Sequence, residues 1–310
     1  MAESQCAIET RGLTKRFGKK PAVDELNLKV PQGSVFAFLG RNGAGKTTTI
    51  RMLMNLLDRS AGEAYVLGMD PRKRDFDIKR RIGYVAEGQR MYGWMTVSQI
   101  MWFCSGFYPT WDDGYAKQLL GFFELPAEEK IRNLSRGTQA KLALLLAMAH
   151  RPELLILDEP TGGLDVVVRR EFLMGVIQQI LQEGSTVFFS SHLVHEVERV
   201  ADWVGVIEQG RLIASGSMEE LKNTLTLLVV SFPEAVPADM KIAGALSTQV
   251  AGRQARIVVR GCSENAMTSL QRYAPQSVEA HALSLEDIFV TLVEGQGSGI
   301  GGRGSEGQKP

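Results

Sequence analysis

The chain has 310 residues, 44% of them hydrophobic, with 35 Lys plus Arg balanced by 35 Asp plus Glu. That length accommodates one large domain and a smaller one, and the apolar content supports buried cores, so a mostly disordered chain is excluded. A formal net charge of +0 excludes a global attraction to nucleic acid or anionic lipid.

Cys6, Cys104 and Cys262 are too widely spaced for a disulfide framework or a metal cluster, and they read as reduced thiols. The first residues include acids and no apolar signal core. No apolar run approaches the roughly 20 residues of a membrane helix, so the chain is expected not to span a bilayer.

The first informative element is SVFAFLG (34–40), a short apolar strand, followed by GRNGAGKTT (40–48) and a helix-forming run to about 57. Gly40, Gly43, Gly45, Lys46 and Thr47 fill the phosphate-loop pattern, and Arg41, Asn42, Ala44 and Thr48 complete the loop. Glycines let successive backbone N–H groups turn inward around a phosphate. Lys46 then reaches the β and γ phosphates, and the Thr47 hydroxyl is placed for Mg²⁺. Strand, loop and helix in this order set the phosphates at a helix N-terminus.

The basic run RKRDFDIKRR (72–81) is interrupted by Asp75 and Asp77 and reads as a solvated face. Three more apolar runs end in polar residues: IGYVAE (82–87), LLILDE (154–159) and TVFFSSH (186–192). Each predicts a buried parallel strand with its reactive residues at the carboxyl end, where open α/β sheets bind ligands. Asp158 can bind Mg²⁺ through water, and Glu159 can orient or deprotonate an attacking water.

Residues of roughly 90–150, rich in helix formers and aromatics, predict a helical insertion; QAKLALLLAMA (139–149) lacks Gly, Pro and β-branched residues. The cluster of Met91, Tyr92, Trp94 and Met95, with Trp102, Phe103 and Phe107, suits either a core or a partner groove. His150, His195 and His281 stand without evident partners and read as packing or surface residues.

Beyond residue 222 the pattern changes to TLLVVSF, RIVVR and a last helix near 285–294 with Ser284 as its cap. The expected division is 1–222, a small α+β accessory domain over 223–294, and a flexible tail over 295–310 with seven glycines among its residues.

The order of the loop, LSRGTQ (134–139), LLILDEP (154–160), GGLD (162–165) and SSH (190–192) resembles the ATP-binding subunit of ATP-binding cassette (ABC) transporters, across residues 7–222. The resemblance implies an α/β P-loop NTPase core with a helical subdomain, and ATP and Mg²⁺ as cofactors. It implies that Ser135 and Gly137 face the γ-phosphate held by the opposite subunit of a head-to-tail homodimer or heterodimer. It further implies that Asp165 links the two sites, that His192 contacts the γ-phosphate, and that Phe17 stacks on adenine.

That resemblance implies an ATPase at the cytoplasmic face of the membrane, powering a separate transmembrane permease that exports a drug, peptide or lipid-like cargo. Nucleic acid is not an expected partner. The alternatives are a soluble ABC ATPase acting on DNA or ribosomes and an unrelated P-loop kinase. One cassette, no long heptad insertion and no net positive charge oppose the first; LSRGTQ and SSH oppose the second.

Three segments depart from the family pattern, at four positions. Glu87 stands where a glutamine touches Mg²⁺ and water, with Gln89 as a substitute two residues on. Arg136 and Thr138 replace glycine and glutamine in the signature, and Gly162 replaces the serine before GLD.

Overall fold

A computed structural model describes residues 6–162, 169, 184–261 and 264–297. The chain divides into two compact units, Met1–Ser215 and Gly216–Pro310.

The first unit is built on six parallel or mixed strands in the order β10-β9-β4-β8-β7-β6. These are β4 (Val35–Leu39), β6 (Ile82–Val85), β7 (Leu154–Leu157), β8 (Thr186–Ser191), β9 (Trp203–Glu208) and β10 (Arg211–Ser217). All residues of β4, β7 and β8 are buried, which is why they read as continuous apolar runs rather than alternating ones. Phe36 and Phe38 of β4 stack on Phe188 of β8 at centroid separations of 5.8 and 5.6 Å. β8 pairs in parallel with β4 on one side and β7 on the other. Three strand ends therefore lie side by side.

Sequence reading did not anticipate a second sheet, formed by β1 (Cys6–Phe17), β2 (Lys20–Leu26), β3 (Lys29–Pro31) and β5 (Ala61–Val66). Its strands alternate buried and exposed residues around register irregularities, so no long apolar run marks them. Buried Ile8, Leu13, Val23, Leu26 and Val66 join Phe36, Phe38 and Phe188 in one core.

The insertion carries α3 (Val97–Ser105), α4 (Asp113–Phe122), a 3₁₀ turn (Ile131–Asn133) and α5 (Arg136–Met148). Thr96 and Gln99 close a capping box at the start of α3, Asp112 caps α4, and Ser135 caps α5. His150, two residues past the end of α5, is a packing residue. It is 1% exposed, stacks on Tyr108 at 3.9 Å, and bonds through Nε2 to the Ile82 carbonyl at 3.1 Å. A carbonyl only accepts, so Nε2 carries the proton, and burial holds this imidazole below its ordinary pKa.

The second unit begins at Gly216, ahead of the boundary expected after residue 222. The helix Met218–Thr224 explains the difference, because it packs on β11 (Leu225–Ser231) and on the helix Leu285–Gly297 of the same unit. The sheet order is β12-β13-β11-β14, with β12 (Ala245–Ala251), β13 (Gln254–Arg260) and β14 (Ser277–Ala282). One face packs Leu228, Val230, Ile257 and Val259 against Ala266 and Leu270 of the helix Glu264–Gln271. The other packs Leu225, Leu227 and Val258 against Ile288 of the last helix, whose Asp287 N–H is capped by Ser284 Oγ at 3.1 Å. The α+β architecture expected for this region is the one found. The described part of the tail continues this helix to Gly297, and residues 298–310 lie outside the described residues.

Phe188→Ala should lower the unfolding free energy of the first unit by about 3–5 kcal/mol, because it opens a cavity where three rings meet. Urea denaturation read by near-UV signals checks this; a loss under about 1 kcal/mol would contradict the packing.

Candidate functional site

The site assembles where β4, β7 and β8 end side by side, because each is followed at once by polar residues. β4 runs into the loop of Gly40–Thr48 and α1 (Lys46–Leu53), β7 into Asp158 and Glu159, and β8 into His192.

The loop is pressed against its surroundings. A Cβ on Gly40 would lie 2.5 Å from the Ile207 carbonyl oxygen, and one on Gly45 would lie 2.7 Å from that of Ala22. Gly45 also has φ 117°, outside what a residue with a side chain readily adopts. As the N-cap of α1 it offers no side-chain acceptor, so the first amides of the helix are left for an external anion. That is the fit expected for a phosphate. Ala44 is buried and accepts from Gly210 N at 2.8 Å, while Arg41 and Asn42 are exposed.

Lys46 is 6% exposed. Its Nζ donates to the Gly40 carbonyl at 2.6 Å and the Arg41 carbonyl at 3.3 Å, and it lies 3.1 Å from Glu159 Oε1. The last contact has ion-pair distance without hydrogen-bond geometry, since Glu159 Oε1 is a buried atom with no hydrogen-bond partner. The attraction is therefore Coulombic rather than directional, and another anion can compete for Lys46. The other carboxylate oxygen, Oε2, accepts from His192 Nδ1 at 2.8 Å. Glu159 is thus set between Lys46 and His192, with its backbone at φ 46°, a left-handed conformation costing on the order of 1 kcal/mol for a non-glycine residue.

Asp158 is 1% exposed and accepts from Thr47 Oγ1 at 3.1 Å and Ser190 Oγ at 2.7 Å through the same oxygen, Oδ1. Burial raises its pKa above the ordinary carboxylate value, and the hydrogen bonds from Ser190 and Thr47 oppose that shift. A hydroxyl and a carboxylate side by side are the hard oxygen donors that suit Mg²⁺. Among the described residues no group of three or more His, Cys, Asp or Glu could hold a metal, so phosphate oxygens would have to complete the set.

Asn42, Gly43, Gly45, Lys46, Thr47, Thr48, Glu87 and Glu159 line one cleft of ≈ 250 Å³. Glu87, the departure from the family pattern, is therefore brought to the phosphate loop. Gln89 is not; its Oε1 accepts from Ala86 N at 3.3 Å. Phe17 is 56% exposed at the end of β1, under Lys15 Nζ at 5.2 Å, and outside this lining. Ser135 Oγ is turned to its own helix, accepting from Thr138 N at 3.1 Å, and Gly137 sits in the first turn of α5. That turn contains no acid, and Arg136 at its start forms no ion pair among the described residues. Asp165 lies outside the described residues.

Sequence reading missed Ser190. Fully buried, it donates to Asp158 Oδ1 while its Oγ accepts from Glu159 N at 2.9 Å, so one hydroxyl ties both acids together. The only available signal was a polar residue at the end of an apolar strand, two places before His192.

The parallel sheet, the phosphate loop and this cluster define a P-loop NTPase of the ABC ATPase type. The chain matches the ABC transporter family over residues 23–162. It is 36% identical over 218 residues to the bacitracin transport ATP-binding protein BcrA of Bacillus licheniformis, covering 70% of this chain and 71% of that protein. It is 37% identical over 223 residues to the probable multidrug ABC transporter ATP-binding protein YbhF of Escherichia coli K12, covering 70% of this chain. The chain spans only 38% of that relative's length. A solved dimeric, post-hydrolysis state of the ATP-binding cassette MJ0796 bound to ADP and Pi shares the fold at a TM-score of 0.60 and 20% identity, over 68% of this chain and 98% of that one. The chain belongs to the ABC transporter ATP-binding proteins.

Ser190→Ala should lower kcat for ATP hydrolysis about 10-fold or more while leaving ATP affinity within about twofold, and Ser190→Thr should retain most activity. Steady-state kinetics beside equilibrium nucleotide titration checks it; equal losses in both variants would mark a packing role only.

Proposed function

We propose that the chain binds ATP with Mg²⁺ on the Gly40–Thr48 loop, hydrolyses it, and drives a separate transmembrane permease from the cytoplasmic face of the membrane. The observation that carries this reading is the convergence of Lys46, Thr47, Asp158, Glu159 and His192 at three adjacent strand ends. Backbone amides of the loop and Lys46 hold the β and γ phosphates, and Phe17, exposed on the first sheet, is the surface for adenine. Mg²⁺, held from this chain by Thr47 and Asp158, would neutralise charge on the β and γ oxygens. Phosphates on Lys46 displace Glu159 Oε1, and the freed carboxylate orients the attacking water and accepts its proton. His192 Nδ1 holds Glu159 Oε2 and turns to the γ-phosphate as the triphosphate binds.

Hydrolysis needs a second protomer, head to tail, in this reading. The start of α5, with Ser135, Gly137 and Arg136, the last without an ion pair among the described residues, and with no acid, is a positive helix end suited to a γ-phosphate across the interface. Asp165 completes the link between the two sites. Relatives named for bacitracin transport and for multidrug transport support a drug or peptide among the drug, peptide or lipid-like cargoes of this reading, in which cargo moves outward.

The permease meets the helical insertion. Tyr92, Trp94, Trp102 and Phe107 are 54%, 65%, 77% and 62% exposed, and edge-to-face contacts run from Tyr92 through Phe103 to Phe107, whereas Met95 is buried. Such an exposed aromatic surface suits burial by a partner. No described helix is long and apolar enough to cross a membrane.

Glu159→Gln should keep ATP binding, reduce turnover by about 100-fold or more, and accumulate ATP-dependent dimers, since it keeps the size of the side chain and removes the base. Hydrolysis near the wild-type rate would refute the role of Glu159. Failure of dimers to form despite bound ATP would refute the head-to-tail arrangement.

Glu87→Gln should leave ATP affinity largely intact and raise the Mg²⁺ concentration needed for half-maximal hydrolysis. If it behaves as wild type while Gln89→Ala loses hydrolysis, Gln89 rather than Glu87 holds this position.

A further inference from the structure

Among the described residues the sheet of the second unit ends in two open edges, β12 and β14. Open edges present a row of unpaired N–H and C=O groups, and proteins blunt them with bulges, Pro, Lys or inward-pointing charges. β12 is blunted by a register irregularity between Ala245 and Ser247. β14 has no such irregularity. Its ladder with β11 runs regularly from Thr226↔Ala282 to Ser231↔Ser277, it contains neither Pro nor Lys, and Ser277, Glu279, Ala280, His281 and Ala282 are all exposed.

The side chains of this edge are complementary to themselves. Glu279 and His281 share one face, with His281 Nε2 3.3 Å from Glu279 Oε2, and Ala280 lies between them on the other. When a strand pairs antiparallel with its own copy about a two-fold axis through residue 280, residue 279 stands opposite 281 twice over. Glu279 then faces His281 of the second copy, and His281 faces the other Glu279. On the opposite face Val278 meets Ala282 and Ala280 meets Ala280, side chains small enough for unhindered approach.

We infer that β14 is an interaction surface for a second copy of this chain, pairing Val278–Ala282 antiparallel with itself about Ala280 and joining the two accessory sheets into one. Main-chain hydrogen bonds supply the attachment, and the two Glu–His pairs select the register. The contact needs no nucleotide, so it stands or falls independently of the ATP-closed dimer.

The test uses the full chain without nucleotide, with Cys6, Cys104 and Cys262 replaced by Ser and with Lys46→Ala present to prevent ATP-driven closure. Ala280→Cys should give a disulfide dimer under mild oxidation, since directly opposed Cα atoms lie about 4.5–5.5 Å apart. Val278→Cys and Ala282→Cys should not, because each is offset from its own copy by four residues, about 13 Å. In sedimentation, His281→Glu should weaken the dimer about 10-fold, about 1.4 kcal/mol, and the swap Glu279→His with His281→Glu should restore it to within about twofold. Circular dichroism confirms that each variant is folded. A monomer at all concentrations, cross-linking at Thr248→Cys on β12 in place of Ala280→Cys, or a swap that fails to recover the dimer would each overturn the proposal.

Discussion

The phosphate loop owes its shape to what lies immediately around it. Gly40 is backed by the Ile207 carbonyl of β9, and Gly45 by the Ala22 carbonyl of β2, at distances where no side chain fits. Gly210, in the turn after β9, closes the clamp by donating to the Ala44 carbonyl and accepting from Asp24 N. β2 belongs to the first sheet and β9 to the parallel one, so the loop is shaped only where both sheets are already in place. A glycine loop is flexible as an isolated segment; held between two backbones, it becomes a preorganised anion site.

The same crowding governs the charges. Lys46 and Asp158 are almost fully buried, and burying unpaired charge is costly, so each is answered from a neighbouring strand end. Lys46 takes two carbonyls and Glu159; Asp158 takes two hydroxyls. Ser190 connects the two halves of this arrangement, because its one oxygen both donates to Asp158 and accepts the amide of Glu159. The left-handed backbone at Glu159 persists because Ser190 holds its N–H and His192 its carboxylate. Electrostatic balance and backbone strain are thus settled by the same few atoms.

What could be read from the residues was chemistry carried by type and spacing. The loop, the acids after LLIL and the histidine after TVFFSS were legible because buried parallel strands are apolar throughout and their ends expose the change to polar residues. The first sheet was not legible, since β1 turns through register irregularities that break any period of two. Ser190 was hidden for a related reason: within an apolar strand a serine looks like a small filler, and its role exists only through β7 beside it. The boundary near residue 222 followed an apolar run, whereas the helix Met218–Thr224 is assigned by what it packs against. Whether Glu87 or Gln89 faces the cleft is likewise a matter of loop direction, which composition does not carry.

The segment between β6 and α3 joins chemistry to surface. Within it Glu87 lines the cleft beside Lys46, and a few residues later Tyr92 and Trp94 lie exposed. The segment is also fastened to the approach to α5: Ile131 N donates to the Met95 carbonyl and Arg132 N to the Gly93 carbonyl, both at about 3 Å, and a bridge pairs Thr96 with Lys130. Ser135 and Arg136 follow directly. The aromatic surface is therefore tied by backbone both to the carboxylate at the cleft and to the Ser135-capped start of α5. Between those bonds and Arg136 lies the 3₁₀ turn Ile131–Asn133, closed by Asn133 N on the Lys130 carbonyl at 2.9 Å and Leu134 N on the Ile131 carbonyl at 3.1 Å, so the position of the α5 start depends on that turn staying formed.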